Sequence, residues 1–185
     1  MASIAGGFLA TSQHMAIDHK EVLTGDAALA KLRELLRDFP IAFMMTVSDG
    51  IATARPIGVV GDHAAFDGSL WFITDKRSRK VRAINSGATT TLIFQNDKAG
   101  AYLHLSGRAS VLDDREKLEE LYTTLQRAWF PLGLDDPNIT LVRFDVEQGD
   151  YWDSHDSLVR LAFAFAKSIV TKTPGKSGNA GVAKL

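Results

Sequence analysis

The sequence contains no cysteine, which excludes disulfides, thiolate zinc sites, iron–sulfur clusters and cysteine nucleophiles. It also lacks any apolar run approaching the ~20 residues that cross a bilayer as a helix. An excess of one charge sign is missing too: 21 Lys and Arg stand against 22 Asp and Glu, for a formal net charge of -1. General attraction to nucleic acid or to anionic lipid is therefore not expected, and any anion must be held by a local cluster. The nucleophile elbow GxSxG, the phosphate loop GxxxxGK[ST], the dinucleotide turn GxGxxG and the metal pair HExxH do not occur. His14, His19, His63, His104 and His155 fall in no close ligand spacing, and His104 reads as an ordinary strand histidine. The first residues, MASIAGGFLATSQHM, have no basic start and only the brief apolar GGFLA, so no secretory signal is expected. Residues 1–19 read as a mobile tail, and the setting that fits best is reducing and cytoplasmic.

What is present suits one globular domain: 185 residues, 45% hydrophobic and 23% charged, enough chain for a real core. Leu29, Leu32, Leu36 and Phe39 recur at spacings of three and four, which predicts an amphipathic helix ending before Pro40. IAFMMTVS and IATARPIGVV flank Asp49-Gly50, a strong hairpin signal because Asp-Gly accepts the positive φ angles of a tight turn. Further strands are predicted at SLWFIT, TTTLIFQ, AYLHLSGRASVL and ITLVRFDVEQGDYW, with a short helix over SRKVRAIN. DDREKLEELYTTLQRAWF, residues 113–130, is predicted as one helix with acidic residues in its first turn. SLVRLAFAFAKSIV is predicted as a last helix, followed by a disordered Lys/Gly/Ser-rich tail over 173–185. Strands at short spacing with few helices favour a mainly β antiparallel barrel over a doubly wound sheet.

One stretch stands apart. TDKRSRKVR, residues 74–82, directly follows the strand SLWFIT and carries five cations. With Ser78 as the cap of the short helix, Arg79, Lys80 and Arg82 fall in a turn where the helix dipole disfavours cations by a few tenths of a kcal/mol each. An anion supplies the missing term, with the Thr74 and Ser78 hydroxyls and nearby N–H groups as donors; solvated side chains on a surface turn are the plain alternative. Arg55 interrupts a small, apolar strand just before Pro56, which cannot donate to a ladder and marks an edge or bulge. Three aromatic pairs, Trp71-Phe72, Trp129-Phe130 and Tyr151-Trp152, would suit a planar phosphorylated cofactor if they lay near the anion, although each is most simply core.

The segments ARPI, LWFITDKRSRKVRAI, LSGRASVLDDREKLEELY, AWFP and YWD, in that order, resemble the general stress protein 26 group of the pyridoxamine 5'-phosphate oxidase-like, FMN-binding split-barrel superfamily. The resemblance runs from about Ala27 to Lys172 and implies a domain over 20–172: a six-stranded antiparallel split β-barrel with flanking helices. It implies a homodimer with FMN in the cleft between subunits. Arg55, Pro56 and Ile57 would line the flavin ring; Thr74, Ser78, Arg79 and Lys80 would hold the ribityl phosphate, with Phe72 and Ile73 also among the cofactor-binding residues. Tyr102 would reach the partner's flavin, and Trp129 and Trp152 would close the ring pocket. F420 or haem, used by some split barrels, are alternative cofactors. The apolar segment SLVRLAFAFAKSIV stands where vitamin B6 phosphate oxidases carry an arginine-containing segment, which argues against that substrate. The implied functions are a flavin-dependent oxidoreductase acting on a small molecule, or a flavin store or sensor without turnover. A nucleic-acid or phosphoprotein module would need a broad basic face, which the charge balance does not provide.

Overall fold

The computed structural model describes residues 21–37, 39–98, 100–153 and 179–185; the predicted N-terminal tail and the helix over 157–170 lie outside them. The helices are α1 (Gly25–Leu36), α2 (Arg79–Asn85) and α3 (Arg115–Leu121). The strands are β1 (Glu21–Thr24), β2 (Ile41–Ser48), β3 (Ile51–Gly58), β4 (Ser69–Asp75), β5 (Thr89–Asn96), β6 (Ala101–Leu112), β7 (Ile139–Asp153) and β8 (Asn179–Lys184). The architecture is mainly β, as the sequence predicts. The antiparallel set β2–β7 has the form of a split barrel, and β1 and β8 extend it to an open mixed sheet of eight strands in the order β1-β8-β7-β6-β5-β2-β3, with β4 paired to β7.

The hairpin forms where Asp49-Gly50 predicts it, with φ of 51° and 76° at those two residues. A two-residue turn leaves no freedom of register, so Thr46 faces Thr53 and Met44 faces Arg55. Gly107 marks the other irregular point: the β6–β7 register shifts there, and a Cβ at this position would lie 2.0 Å from the Asp145 carbonyl oxygen. Only glycine allows that approach. Strand alternation sends Ala42, Met44, Phe72, Leu92, Phe94, Leu103, Leu105, Phe144 and Tyr151 into one core, which α1 covers with Ala28, Leu32, Leu35 and Leu36. Each large side chain buried this way contributes about 1.5 to 3 kcal/mol.

Two expectations are corrected. The segment 179–184 is a strand, not part of a disordered tail: β8 pairs antiparallel with Gln148–Asp153 of β7 and parallel with β1. β4 occupies the same edge of β7 only over Ile139–Asp145, so the second half of that long strand would otherwise present open N–H and C=O groups. Val182 and Ala183 are buried in the process. The helix predicted over 113–130 is broken. α3 ends at Tyr122, whose ψ of 126° is extended, and Thr123 starts a separate 3₁₀ turn (Thr124–Ala128) through a capping box with Gln126. Two adjacent threonines that compete for the backbone account for the break.

Candidate functional site

The hairpin register puts Arg55 on the core-facing side of β3, opposite Met44 and on the same face as Ile57. Its guanidinium is oriented by three acceptors: Nη1 donates to the Met44 carbonyl at 3.2 Å and to Thr46 Oγ1 at 2.9 Å, and Nη2 donates to Thr53 Oγ1 at 2.6 Å. Opposite it, β4 ends at Asp75 and the chain turns into α2. The Asp75 carboxylate accepts from the Arg77 backbone N–H at 2.7 Å and from its guanidinium at 2.7 Å, so Arg77 is turned away and neutralised. Ser78 is the extended residue before α2, but its hydroxyl does not cap the helix. That oxygen is buried and has no partner.

Arg79 and Lys80 complete a cavity of about 360 Å³ lined by Thr53, Ala54, Arg55, Ser78, Arg79 and Lys80. Among the described residues no carboxylate lines it. The cations act on one another: burial first, and then Arg79, lower the affinity of Arg55 for its proton. Burial first, and then Arg55, push the Lys80 ammonium down, against a smaller upward pull from Asp75. Asp75 is itself held below the usual carboxylate range, chiefly by its hydrogen bonds from Arg77. A buried hydroxyl without a partner and three cations with no carboxylate among the residues lining their cavity fit a phosphate group.

The chain thus brings Arg55, Ser78, Arg79 and Lys80 together and adds Thr53 and Ala54. The other predicted residues lie elsewhere. Alternation turns Phe72 and Thr74 inward with Leu70, where Phe72 is fully buried; Ile57 is core as well. Ile73 and Trp71 pack on the opposite side of β4 against Leu118, Leu121 and Leu141. Trp71 is therefore no part of the basic cavity: Lys117 Nζ and Arg143 Cζ lie 5.3 and 5.7 Å from its ring centre. Pro56 is on the outer face of the sheet beside Phe43, and Tyr102 and Trp152 are cross-strand partners on that face. Trp129 is 74% exposed at the end of its 3₁₀ turn. Tyr151, paired with Trp152 in the sequence, is core. Nothing in the sequence pattern marks Thr46 and Thr53 as site residues except the Asp-Gly turn, which sets them opposite each other, with Thr53 two residues before Arg55 on the same face.

Among the described residues no group of three or more His, Asp or Glu side chains could hold a metal ion. His104 Nδ1 lies 3.3 Å from Asp150 Oδ2, which satisfies it. No described helix is long and apolar enough to cross a membrane.

Residues 27–175 match the family described as pyridoxamine 5'-phosphate oxidase like. Protein bli-3 of Neurospora crassa is 26% identical over 113 residues, covering 57% of this chain and 54% of that protein; the chain thus spans about half the length of this curated relative. Among solved structures, a protein related to general stress protein 26 from Clostridium acetobutylicum is 27% identical, with a TM-score of 0.58 over 69% of this chain and 89% of that one. A general stress protein 26 from Jannaschia sp. CCS1 has a TM-score of 0.66 at 23% identity, covering 84% and 97%. The general stress FMN/FAD binding protein of Xanthomonas citri has a TM-score of 0.59 at 23% identity, covering 70% and 91%. These last two bear on the fold alone.

Proposed function

The chain belongs to the pyridoxamine 5'-phosphate oxidase-like family, and on that premise we propose that it binds FMN by its terminal phosphate in the cavity between β3 and α2, and works as a flavin-dependent oxidoreductase on a small molecule. The observation that carries this is the buried, unpartnered Ser78 hydroxyl facing Arg55, Arg79 and Lys80 with no carboxylate among them. Ser78, Arg79 and Lys80 would hold the phosphate, while Arg55, kept in place by Met44, Thr46 and Thr53, would orient it and meet the ribityl chain. The flavin ring supplies the redox chemistry. The protein's part is to bind, orient and shield, so no acid–base pair is required of the chain.

The proposed assembly is a homodimer through the outer face of the sheet. Ile41, Phe43, Ile93, Tyr102 and Trp152 are 57, 50, 39, 42 and 36% exposed there. Phe43 faces Ile93 on one side and Pro56 on the other, and Tyr102 faces Trp152, so the exposed groups adjoin across strands. An apolar face of this kind calls for a partner, and a twofold contact between identical copies is the commonest one. Glutamate at Phe43 should give a monomer mass by light scattering where the wild type gives a dimer.

Calorimetric titration of the flavin-free protein tests the phosphate assignment. FMN should bind more tightly than riboflavin by orders of magnitude, because charge-assisted hydrogen bonds contribute roughly 1.5 to 3 kcal/mol each. Equal affinities would refute it.

A further inference from the structure

The two hydroxyls that hold Arg55 carry two protons, and Arg55 takes neither. Thr46 and Thr53 face each other across the β2–β3 hairpin, their Oγ1 atoms 3.3 Å apart, and each accepts from a different terminal nitrogen of Arg55. With the Met44 carbonyl also bound to Nη1, three of the five guanidinium N–H groups are spent, and Nε–H and the second Nη2–H remain side by side on one edge. The threonines differ in their surroundings. Thr46 is 1% exposed, and a buried hydroxyl requires an acceptor for its proton. Arg55 only donates, so among the described residues the acceptor bonded to Thr46 Oγ1 is Thr53 Oγ1. Thr53 Oγ1 then accepts from both Thr46 and Arg55, its lone pairs are filled, and its own O–H is the donor left over. Thr53 is exposed and lines the cavity of Ser78 and Lys80 as well as the adjoining compartment that runs toward Ser48 and Arg82. The open direction for that O–H is the cleft.

We propose that Thr53 is a further ligand-binding residue of this cleft, donating its hydroxyl proton to an oxygen of the bound anion, and that Thr46 is its positioning residue. By filling the second lone pair of Thr53, Thr46 fixes which way that proton points, and the same pair leaves the free edge of Arg55 to the ligand. An oxyanion such as a phosphate monoester is accepted there, whereas a group that offers only its own O–H or N–H finds no acceptor at Thr53. The nearby acid does not compete: Asp75 acts on Lys80 through its charge, but its carboxylate is engaged by Arg77 and is not part of the lining. The proposal rests on the flavin reading above for the identity of the ligand, but not for the direction of the donor.

Calorimetry of the flavin-free protein with FMN, riboflavin and inorganic phosphate tests this on wild type, Thr53→Val, Thr53→Ser, Arg55→Ala and the double variant Arg55→Ala/Thr53→Val. Valine at 53 should weaken FMN and phosphate by about tenfold or more, as loss of one charge-assisted hydrogen bond implies, with riboflavin within about twofold. Serine, which keeps the O–H, should restore most of the affinity. The Arg55→Ala background separates a direct contact from one made through the guanidinium: Thr53→Val should still weaken FMN there by about fivefold or more. No further loss in that background would mean that Thr53 only holds Arg55, and would overturn the assignment, as would FMN and phosphate affinities within about twofold of wild type in Thr53→Val alone. Thermal unfolding checks that the variants fold; the exposed Thr53 variants should melt close to wild type. If FMN binds no more tightly than riboflavin while inorganic phosphate still depends on Thr53, the flavin reading fails and the Thr53 donor stands.

Discussion

On the flank formed by α3 and β7, each cation has its own acid. Lys117 lies 2.8 Å from Glu120, Arg115 lies 2.5 Å from Glu119 and Arg143 lies 2.7 Å from Asp145, the last a close ion pair whose buried Nε is not aligned for a hydrogen bond, with Lys117 and Arg143 also over the Trp71 ring. Around α2, Arg55, Arg79 and Lys80 share a cavity with a buried hydroxyl and no acid. Residue type is the same in the two places, and so is the nearness of a tryptophan or a strand end in the sequence. The difference is whether the fold supplies the counter-charge. Where it does, the cations are structural and individually weak, typically contributing 0 to 1 kcal/mol when exposed; where it does not, the like charges oppose the folded state until a ligand arrives.

The strongest way to break this contrast is to remove cations from the unpaired cluster. Arg79→Ala and Lys80→Ala should each reduce FMN affinity by about 10- to 100-fold, and the double variant should lose measurable binding at micromolar flavin by fluorescence titration. Next in size is the gap between FMN and riboflavin: in the double variant it should shrink to a few fold, since the phosphate then finds little that riboflavin lacks. Unchanged FMN affinity in Arg79→Ala would mean a solvated surface turn and nothing more.

Smaller effects should appear in the flavin-free protein. Arg79→Ala should leave stability unchanged or raise it by up to about 0.5 kcal/mol, because it relieves repulsion at Arg55. Lys80 has a folded-state pKa depressed below its ordinary 10.5, so between the depressed value and 10.5 the unfolded chain binds more protons. Stability of the empty protein should therefore rise with pH through that window, from a Lys80 penalty fully present below it, and the rise should vanish in Lys80→Ala. Phosphate affinity should fall over the same window as the ammonium loses its proton. Smallest of all, Lys117→Ala on the paired flank should change FMN affinity by less than twofold while costing at most about 1 kcal/mol of stability; a large loss of flavin binding there would erase the contrast.

Local chemistry decided much of this molecule in advance. Apolar periodicity placed α1, alternation placed β2 to β7, and Asp49-Gly50 set one hairpin register and with it the side of the sheet on which Arg55 lies. Repulsion among Arg79, Lys80 and Arg82 already pointed to an anion. Tertiary structure alone decided the rest. β8 exists because the second half of β7 would have an open edge, something NAGVAK, poor in β-formers, does not announce. Whether Trp71 serves a cofactor or the Leu118–Leu121–Leu141 cluster depended on which side of β4 faces α3. Counter-charge depended on the fold as well: Arg115 and Lys117 find theirs within α3, whereas the cations of α2 meet a further cation, Arg55, brought beside them by the sheet from far earlier in the chain. A side chain's type follows from sequence and its neighbours along a strand or helix from periodicity, but the partner that neutralises it, or the lack of one, is a property of distances that exist only once the chain has closed on itself.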